Sequence, residues 1–215
     1  MDRSRLAIAI VIPALNEAAT IKQVVEAVLP YGSCVVVDDG STDDTASVAR
    51  AAGATVVSHP KNQGYDAALD SGFRQAADTG CEAIITLDAD GQHNPELLAK
   101  FVAALESGAA VALGERDRRQ RFAEHVFAWY TQHRFGIFDP LCGLKAYRVE
   151  VYNALGHFDA YRSIGTELML FAARRQYAIT HIPFEVRERN GRPRFANRLV
   201  GNWRIFRALT LSFFR

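Results

Sequence analysis

The apolar runs at residues 6–12, 35–37 and 83–87 do not alternate with polar residues, and each gives way abruptly to polar or acidic side chains. A strand with one wet face shows a period of two, whereas a strand covered on both faces reads as an unbroken apolar run. These runs therefore predict central strands of a largely parallel sheet. Helical patterns at 18–29, 65–77 and 95–106 fall between strands, and a further strand is expected at 55–58. The opening is thus a βαβ unit extended by more strand-helix pairs. Ser41 and Asp44 stand in capping-box spacing and mark the start of the second helix.

After an expected strand at 110–113 the pattern loosens into a charged stretch at 115–121, placing Arg116 just beyond that strand. An aromatic-rich helix is expected through Phe138, then a strand around 144–147, a helix around 166–174 and a strand at 179–186. With 215 residues, 49% of them hydrophobic, the chain has enough material for one sizeable core, and a single α/β domain over 1–215 is expected.

The formal net charge of +1 hides an uneven distribution. After Glu188 there is no acidic residue, while Arg189, Arg192, Arg194, Arg198, Arg204, Arg207 and Arg215 follow. Such an end favours an anionic partner, a phosphate-bearing lipid or membrane surface, and would attract nucleic acid too. Leu199, Trp203, Phe206, Leu209 and Phe213 recur at helical spacing, which suits an interfacial helix better than a base-stacking surface; packing against the sheet or a second subunit is the alternative. Phe127, Trp129, Tyr130, Phe135 and Phe138 fit either a neighbouring membrane-facing element or the core. Cys34, Cys81 and Cys142 are odd in number and lack metal-ligand spacing, so they read as packing residues in a reducing compartment. No apolar stretch is long enough to span a bilayer and no cleavable leader is evident, so a soluble or peripherally attached protein is expected.

Ligands of open α/β sheets gather beyond the carboxyl ends of the strands. Here those ends carry Pro13-Ala14-Leu15-Asn16-Glu17, Asp38-Asp39-Gly40-Ser41 and Asp88-Ala89-Asp90-Gly91-Gln92. Asp88 and Asp90 with the Gln92 oxygen form an incomplete cage for a hard divalent cation, magnesium or manganese, leaving positions for phosphate oxygens. An isolated Asp-x-Asp describes a solvated turn equally well, and Asn94-Pro95-Glu96 reads as a helix start. The argument rests on convergence. Lys61 before Asn62-Gln63-Gly64 is a solvated loop lysine and stays outside the candidate site.

Taken in order, Pro13-Ala14-Leu15-Asn16-Glu17, Val37-Asp38-Asp39-Gly40-Ser41-Thr42-Asp43, Asn62-Gln63-Gly64 with Ala67-Ala68-Leu69 and Gly72, and Asp88-Ala89-Asp90-Gly91-Gln92-His93 resemble the family 2 glycosyltransferases of the GT-A fold. The branch they resemble most is that of dolichyl-phosphate mannose synthase and other polyprenyl-phosphate sugar transferases. The resemblance implies a Rossmann-like three-layer sandwich with a mostly parallel central sheet. It also implies a nucleotide-sugar-binding half over 1–115 and an acceptor-binding half over 116–215 that includes a C-terminal amphipathic helix.

Carried over position by position, the resemblance implies that Pro13, Leu15 and Glu17 bracket the base and ribose, and that Asp39 binds the nucleoside. It puts Asp88 near ribose and metal, and Asp90 with Gln92 on the metal. Asp139, at the head of Asp139-Pro140-Leu141-Cys142-Gly143-Leu144-Lys145-Ala146-Tyr147-Arg148, and Glu167 after Thr166 are candidate catalytic residues; a turn acid and a helix-start carboxylate are their bland counterparts. Arg116, Arg189 and Arg194 correspond to positions that contact a lipid phosphate, although Pro193 stands where relatives often carry a small hydroxyl residue. The implied activity is a metal-dependent, inverting transfer of a sugar from a nucleotide sugar to a polyprenyl phosphate. It would take place at the cytoplasmic face of the membrane, with a membrane-protein partner conceivable. A phosphate nucleophile is already anionic and needs positioning more than deprotonation. The alternatives are transfer to a soluble or glycan hydroxyl, which needs a base, and a silent nucleotide- or lipid-binding module.

Overall fold

The computed structural model describes residues 6–91, 96–118, 121–161, 163–185, 202–203 and 205–210. In chain order the elements are β1 (Ile8–Ala14), α1 (Ile21–Val28), β2 (Ser33–Asp38), α2 (Thr45–Ala51), β3 (Thr55–Ser58), α3 (Tyr65–Asp78) and β4 (Ala83–Thr86). There follow α4 (Leu97–Glu106), β5 (Val111–Arg116), α5 (Phe122–Phe135), β6 (Lys145–Arg148), α6 (Val149–Leu155), α7 (Glu167–Arg174) and β7 (Ile179–Phe184). The seven strands form one sheet ordered β3-β2-β1-β4-β6-β5-β7, parallel except for β6, which runs against both β4 and β5. Residues 202–203 and 205–210 are helical.

The unbroken apolar runs have the expected cause. Ile8, Ile10 and Ile12 face a layer containing Val25, Leu98 and Phe101, whereas Ala9 and Val11 between them face Leu69, Phe73, Leu168 and Met169. Both faces of β1 are therefore buried, giving three layers. On the second face α3 comes unusually close to the sheet. A methyl group at Gly72 would lie 2.3 Å from Val11 Cγ1, so only glycine permits that approach.

Sheet direction decides which loops meet. The carboxyl ends of β1, β2, β4, β5 and β7 share one edge, and the antiparallel β6 begins there, with Lys145 opposite Thr86 and Leu113. The segment before β6 is thereby delivered to the same edge as the loops after β1, β2 and β4. Arg116 ends β5, paired in register with Phe184.

Several local expectations change. Helix α2 starts at Thr45, whose N–H donates to Asp43 Oδ1 at 3.0 Å, while the Ser41 hydroxyl accepts the Asn16 N–H. Arg116 belongs to β5, which the sheet extends past the apolar run. Helix α5 stops at Phe135, where Gly136 takes a left-handed φ of 71° and its N–H bonds back to Gln132 and Thr131 carbonyls. Short helix α6 was not anticipated, since 7 residues give little periodicity.

Candidate active site

At the end of β1, Asn16 adopts φ 54°, a left-handed conformation that asparagine tolerates, and turns the chain across the loop after β2. Its N–H donates to Ser41 Oγ at 2.9 Å and its Oδ1 accepts the Thr42 N–H at 2.8 Å. Glu17 is tied down by its N–H, which donates to Thr45 Oγ1 at 2.8 Å. Thr20 Oγ1 then lies 3.1 Å from Glu17 Oε2 and 2.9 Å from the Ala89 carbonyl oxygen. One hydroxyl thus bridges the Glu17 loop and the Asp88-Ala89-Asp90 loop.

Asp39 is only 5% exposed, and its carboxylate is surrounded by donors. Oδ1 takes the His59 Nδ1–H at 2.7 Å and the Gln63 N–H at 2.9 Å, and Oδ2 takes the Gly64 N–H at 2.8 Å. A carboxylate has about four lone-pair sites, so among the described residues these three donors leave one on Oδ2. Gly64, at φ 99°, presents its N–H in a conformation open to glycine, and a side chain at Gly40 would lie 2.6 Å from the Lys61 carbonyl carbon. The two glycines flanking Asp39 are therefore required by its cradle.

Asp88 leaves β4 half-buried, with the Tyr65 hydroxyl 3.4 Å from its Oδ1. Burial and the Asp88 charge push the Tyr65 phenol well above its usual range, which keeps it a donor. On the other side the chain before β6 packs directly on the carboxylate: a methyl group at Gly143 would sit 2.5 Å from Asp88 Oδ2. That segment is fastened by Thr86, whose hydroxyl donates to the Gly143 carbonyl at 2.6 Å. Asp90 is half-buried on the same loop, followed by Gly91 at φ 71°. Asp88 and Asp90 are hard oxygen donors at a strand end, a chemistry that fits Mg²⁺ or Mn²⁺. Gln92 lies outside the described residues, as do Arg189 and Arg194.

Arg116 and Asp139 are brought together as a pair. Arg116 Nε donates to Asp139 Oδ2 at 2.7 Å and Nη2 to Oδ1 at 2.9 Å, while Glu124 Oε2 lies 3.4 Å from Nη2. Burial would raise the Asp139 carboxyl, but the hydrogen bonds and charge of Arg116 hold it below its ordinary value. Each neutralises the other, and Arg116 keeps only its Nη1 without a partner among the described residues. Glu167 is also engaged at both oxygens, by His157 Nε2 at 2.9 Å and the Ala160 N–H at 2.7 Å. It holds the loop before α7.

Sequence reasoning passed over Lys145, which is 3% exposed and donates to the Gly165 carbonyl at 2.8 Å. Burial pushes its ammonium down to about 8, against the pull of Cys142, Asp139, Asp159 and Asp66. The loop it grips contains Ile164 at φ 60°, a strained conformation for a β-branched residue, stabilised by Asp159, which accepts the Ser163 and Gly165 N–H groups at 3.0 Å each. Thr20, His59 and Tyr65 were also passed over. Thr20 follows Glu17 by one helical turn, the one signal that pointed to it. Pro13 is buried within β1 and Leu15 is half-buried just beyond it. Cys34 and Cys142 are buried, and burial pushes both thiols up to about 12, as expected of packing residues.

This chain is a family 2 glycosyltransferase: the family model "Glycosyl transferase family 2" matches residues 9–180. An uncharacterized glycosyltransferase of Mycobacterium tuberculosis is 33% identical over 195 residues, spanning 86% of this chain and 87% of that one. The polyprenol monophosphomannose synthase of Mycolicibacterium smegmatis is 29% identical over 205 residues, 84% of this chain and 77% of its own. Among solved structures, glucosyl-3-phosphoglycerate synthase from Mycobacterium tuberculosis, in complex with Mn²⁺, UDP and glucosyl-3-phosphoglycerate, superposes with a TM-score of 0.76 at 26% identity. The match covers 97% of this chain and 78% of that one. These structural neighbours are GT-A glycosyltransferases, which makes the fold described above a GT-A fold.

Proposed function

We propose that this enzyme transfers a sugar from a nucleotide sugar to a polyprenyl phosphate at a membrane surface, with inversion and with a divalent metal. The observation that carries the reading is the shared edge that gathers Glu17, Asp39, Asp88 and Asp90, where Thr20 ties the Glu17 loop to the Ala89 carbonyl, His59 holds Asp39, and Tyr65 and Gly143 close on Asp88. Glu17 and the open lone pair of Asp39 accept donors from ribose and base, flanked by Pro13 and Leu15. Asp88, Asp90 and Gln92 would hold the metal, which when bound offsets charge on the departing diphosphate. The metal reading is supported by the Mn²⁺ and UDP in the superposed structure, and the acceptor by the polyprenol-specific relative.

With a phosphate as nucleophile the chain needs no base, which agrees with Asp139 and Glu167 both being engaged in holding neighbouring groups. In this reading Asp139 orients Arg116, whose Nη1 edge meets the acceptor phosphate, joined by Arg189 and Arg194 from the chain beyond β7. The single sheet and its appended helices act as one domain, donor half first. Exposed Phe122, Trp129, Trp203 and Phe206 supply the contact with the membrane; no helix among the described residues is long and apolar enough to cross it.

A second reading, transfer to a small phosphorylated acceptor in solution, is favoured by the superposed synthase, also crystallised with phosphoglyceric acid. Incubating the protein with Mn²⁺, a panel of labelled nucleotide sugars and either polyprenyl phosphate or phosphoglyceric acid separates the two. Label extracted into organic solvent only with the lipid supports the first reading; transfer to phosphoglyceric acid alone overturns it.

A further inference from the structure

His59 is the first residue beyond β3, and its side chain is 8% exposed. Its backbone is fixed, because its N–H donates to the Asp38 carbonyl at 2.9 Å. The ring joins two parts of the fold: Nδ1 is 2.7 Å from Asp39 Oδ1, and Nε2 is 2.9 Å from Ser71 Oγ on α3. A carboxylate oxygen only accepts, so Nδ1 carries a proton. In the neutral ring Nε2 is then the acceptor, and the Ser71 hydroxyl is the donor that suits it.

We propose that His59 is a positioning residue for nucleotide recognition, whose Nδ1–H clamps Asp39 so that its one unfilled lone pair faces the nucleoside. The proposal rests on the reading of Asp39 as a nucleoside ligand. Its chemistry is specific to one ring atom. The backbone donors at Gln63 and Gly64 belong to a loop, whereas His59 is anchored to the sheet and, through Ser71, to the helix that packs closest against it. Without that third donor the carboxylate can rotate about its Cβ–Cγ bond and take water at Oδ1.

Two polar replacements separate the clamp from mere packing. In His59→Asn the side-chain amide nitrogen takes the place of Nδ1 and keeps the bond to Asp39. In His59→Gln the amide reaches the place of Nε2, keeps Ser71 and loses Asp39. Binding is measured by calorimetry with UDP, GDP, ADP and CDP, each with Mn²⁺, using whichever binds the wild type. His59→Asn should stay within about threefold of wild type, while His59→Gln should weaken binding about tenfold, as expected for a lost bond to a charged group. In turnover assays His59→Gln should raise KM for the nucleotide sugar and leave kcat within about twofold.

A packing role predicts the reverse order, because Gln fills more of the ring's volume, and that order would overturn the proposal. So would equal affinities in two variants that melt like the wild type. Asp39→Asn serves as the control on the underlying reading: if it binds nucleotide as the wild type does, or if no nucleotide binds the wild type, Asp39 is not a nucleoside ligand and both readings fall. If Asp39→Asn loses binding while His59→Gln does not, only the clamp is excluded.

Discussion

Arg116 and Asp139 face each other through two nearly parallel N–H···O bonds of 2.7 and 2.9 Å, although 23 residues separate them along the chain. The pair sits where β5 ends and the segment leading into antiparallel β6 passes beside it. The Asp139 side chain is 2% exposed and that of Arg116 19%, so removing either partner strands a charge away from water.

Arg116→Met and Asp139→Leu should each destabilise the protein by about 3–5 kcal/mol, the usual consequence of unpairing a buried ion pair. The double variant should be less destabilised than either single one, since it strands neither charge. Denaturant unfolding of the set checks this. Single variants within experimental error of wild type would mean that the pair carries no structural role.

The Gly143–Asp88 contact gives a test that alters no acidic residue. In Gly143→Ala the new methyl group would meet Asp88 Oδ2 at 2.5 Å, so the carboxylate must move. A misplacement of about 1 Å at a reacting centre costs on the order of 100-fold in rate, so metal-dependent turnover should fall steeply while the thermal midpoint drops only modestly. Asp90→Asn should lose turnover with no fall in midpoint. Full activity in both variants would separate this loop from catalysis.

How far the sequence carries can be judged from Asp39. Its place at a strand end was legible, because the buried run before it shows no alternation. Its partner was not: His59 meets it only through the parallel register that sets Asp38 opposite Ser58. The Arg116–Asp139 pair depends likewise on β6 running antiparallel, which no local pattern encodes. Spacing also misplaced one helix start. The Ser41–Asp44 capping signal failed because the helix begins only at Thr45, where the Asp43 carboxylate accepts the first N–H. Of the apolar stripe in the last segment, Leu209 is buried while Trp203 and Phe206 are exposed, and Leu199 and Phe213 lie outside the described residues. Ile205, Ala208 and Leu209 bury against Ala123 and Phe127 of α5, while Trp203 and Phe206 turn outward.

Asp66, in the first turn of α3, should impose a pH dependence on stability. Burial, and then the charge of Asp159, push its carboxyl from 3.8 up to about 6, and its Oδ1 is buried without a hydrogen-bond partner among the described residues. The folded state therefore holds this proton more tightly than the unfolded chain. The resulting stability is fully present below pH 3.8 and is lost as pH rises through about 6. Asp66→Asn should remove that slope and be more stable than wild type at pH 7–8, by up to about 3 kcal/mol. Lys145, whose ammonium burial pushes down to about 8, lies outside this window. Unfolding profiles that stay parallel between wild type and variant from pH 4 to 6.5 would contradict the assignment.

Glu167→Gln distinguishes a loop anchor from a base. The amide oxygen can still accept the Ala160 N–H and the amide nitrogen can donate to a neutral His157 Nε2, so both contacts survive. Turnover should stay within about threefold of wild type, whereas loss of a general base costs about 100-fold or more. Glu167→Ala should lower the melting temperature as the loop comes loose. A kcat collapse in a stable Glu167→Gln protein would restore the base and favour a hydroxyl acceptor.

The outward aromatics make the membrane reading testable. Trp129 and Trp203 are 63% and 64% exposed, on two helical segments joined by the buried contacts of Ile205, Ala208 and Leu209 with α5. Large apolar rings left in water on adjoining helical segments, near an arginine-rich chain end, suit the boundary between headgroups and acyl chains. Burying one indole there is worth roughly 2–3 kcal/mol at about 25 cal/mol per Å². Trp203→Ala should therefore weaken binding to phosphatidylglycerol vesicles by more than about tenfold in sedimentation assays, and Trp129→Ala should act similarly. Salt should weaken the wild type and both variants by the same factor, because it screens the arginines and leaves the rings untouched. The two terms then separate, rings setting the depth of insertion and charge the attraction to the surface. Unchanged vesicle binding in the double variant would show that these aromatics serve another contact, and would leave the lipid acceptor without its membrane anchor.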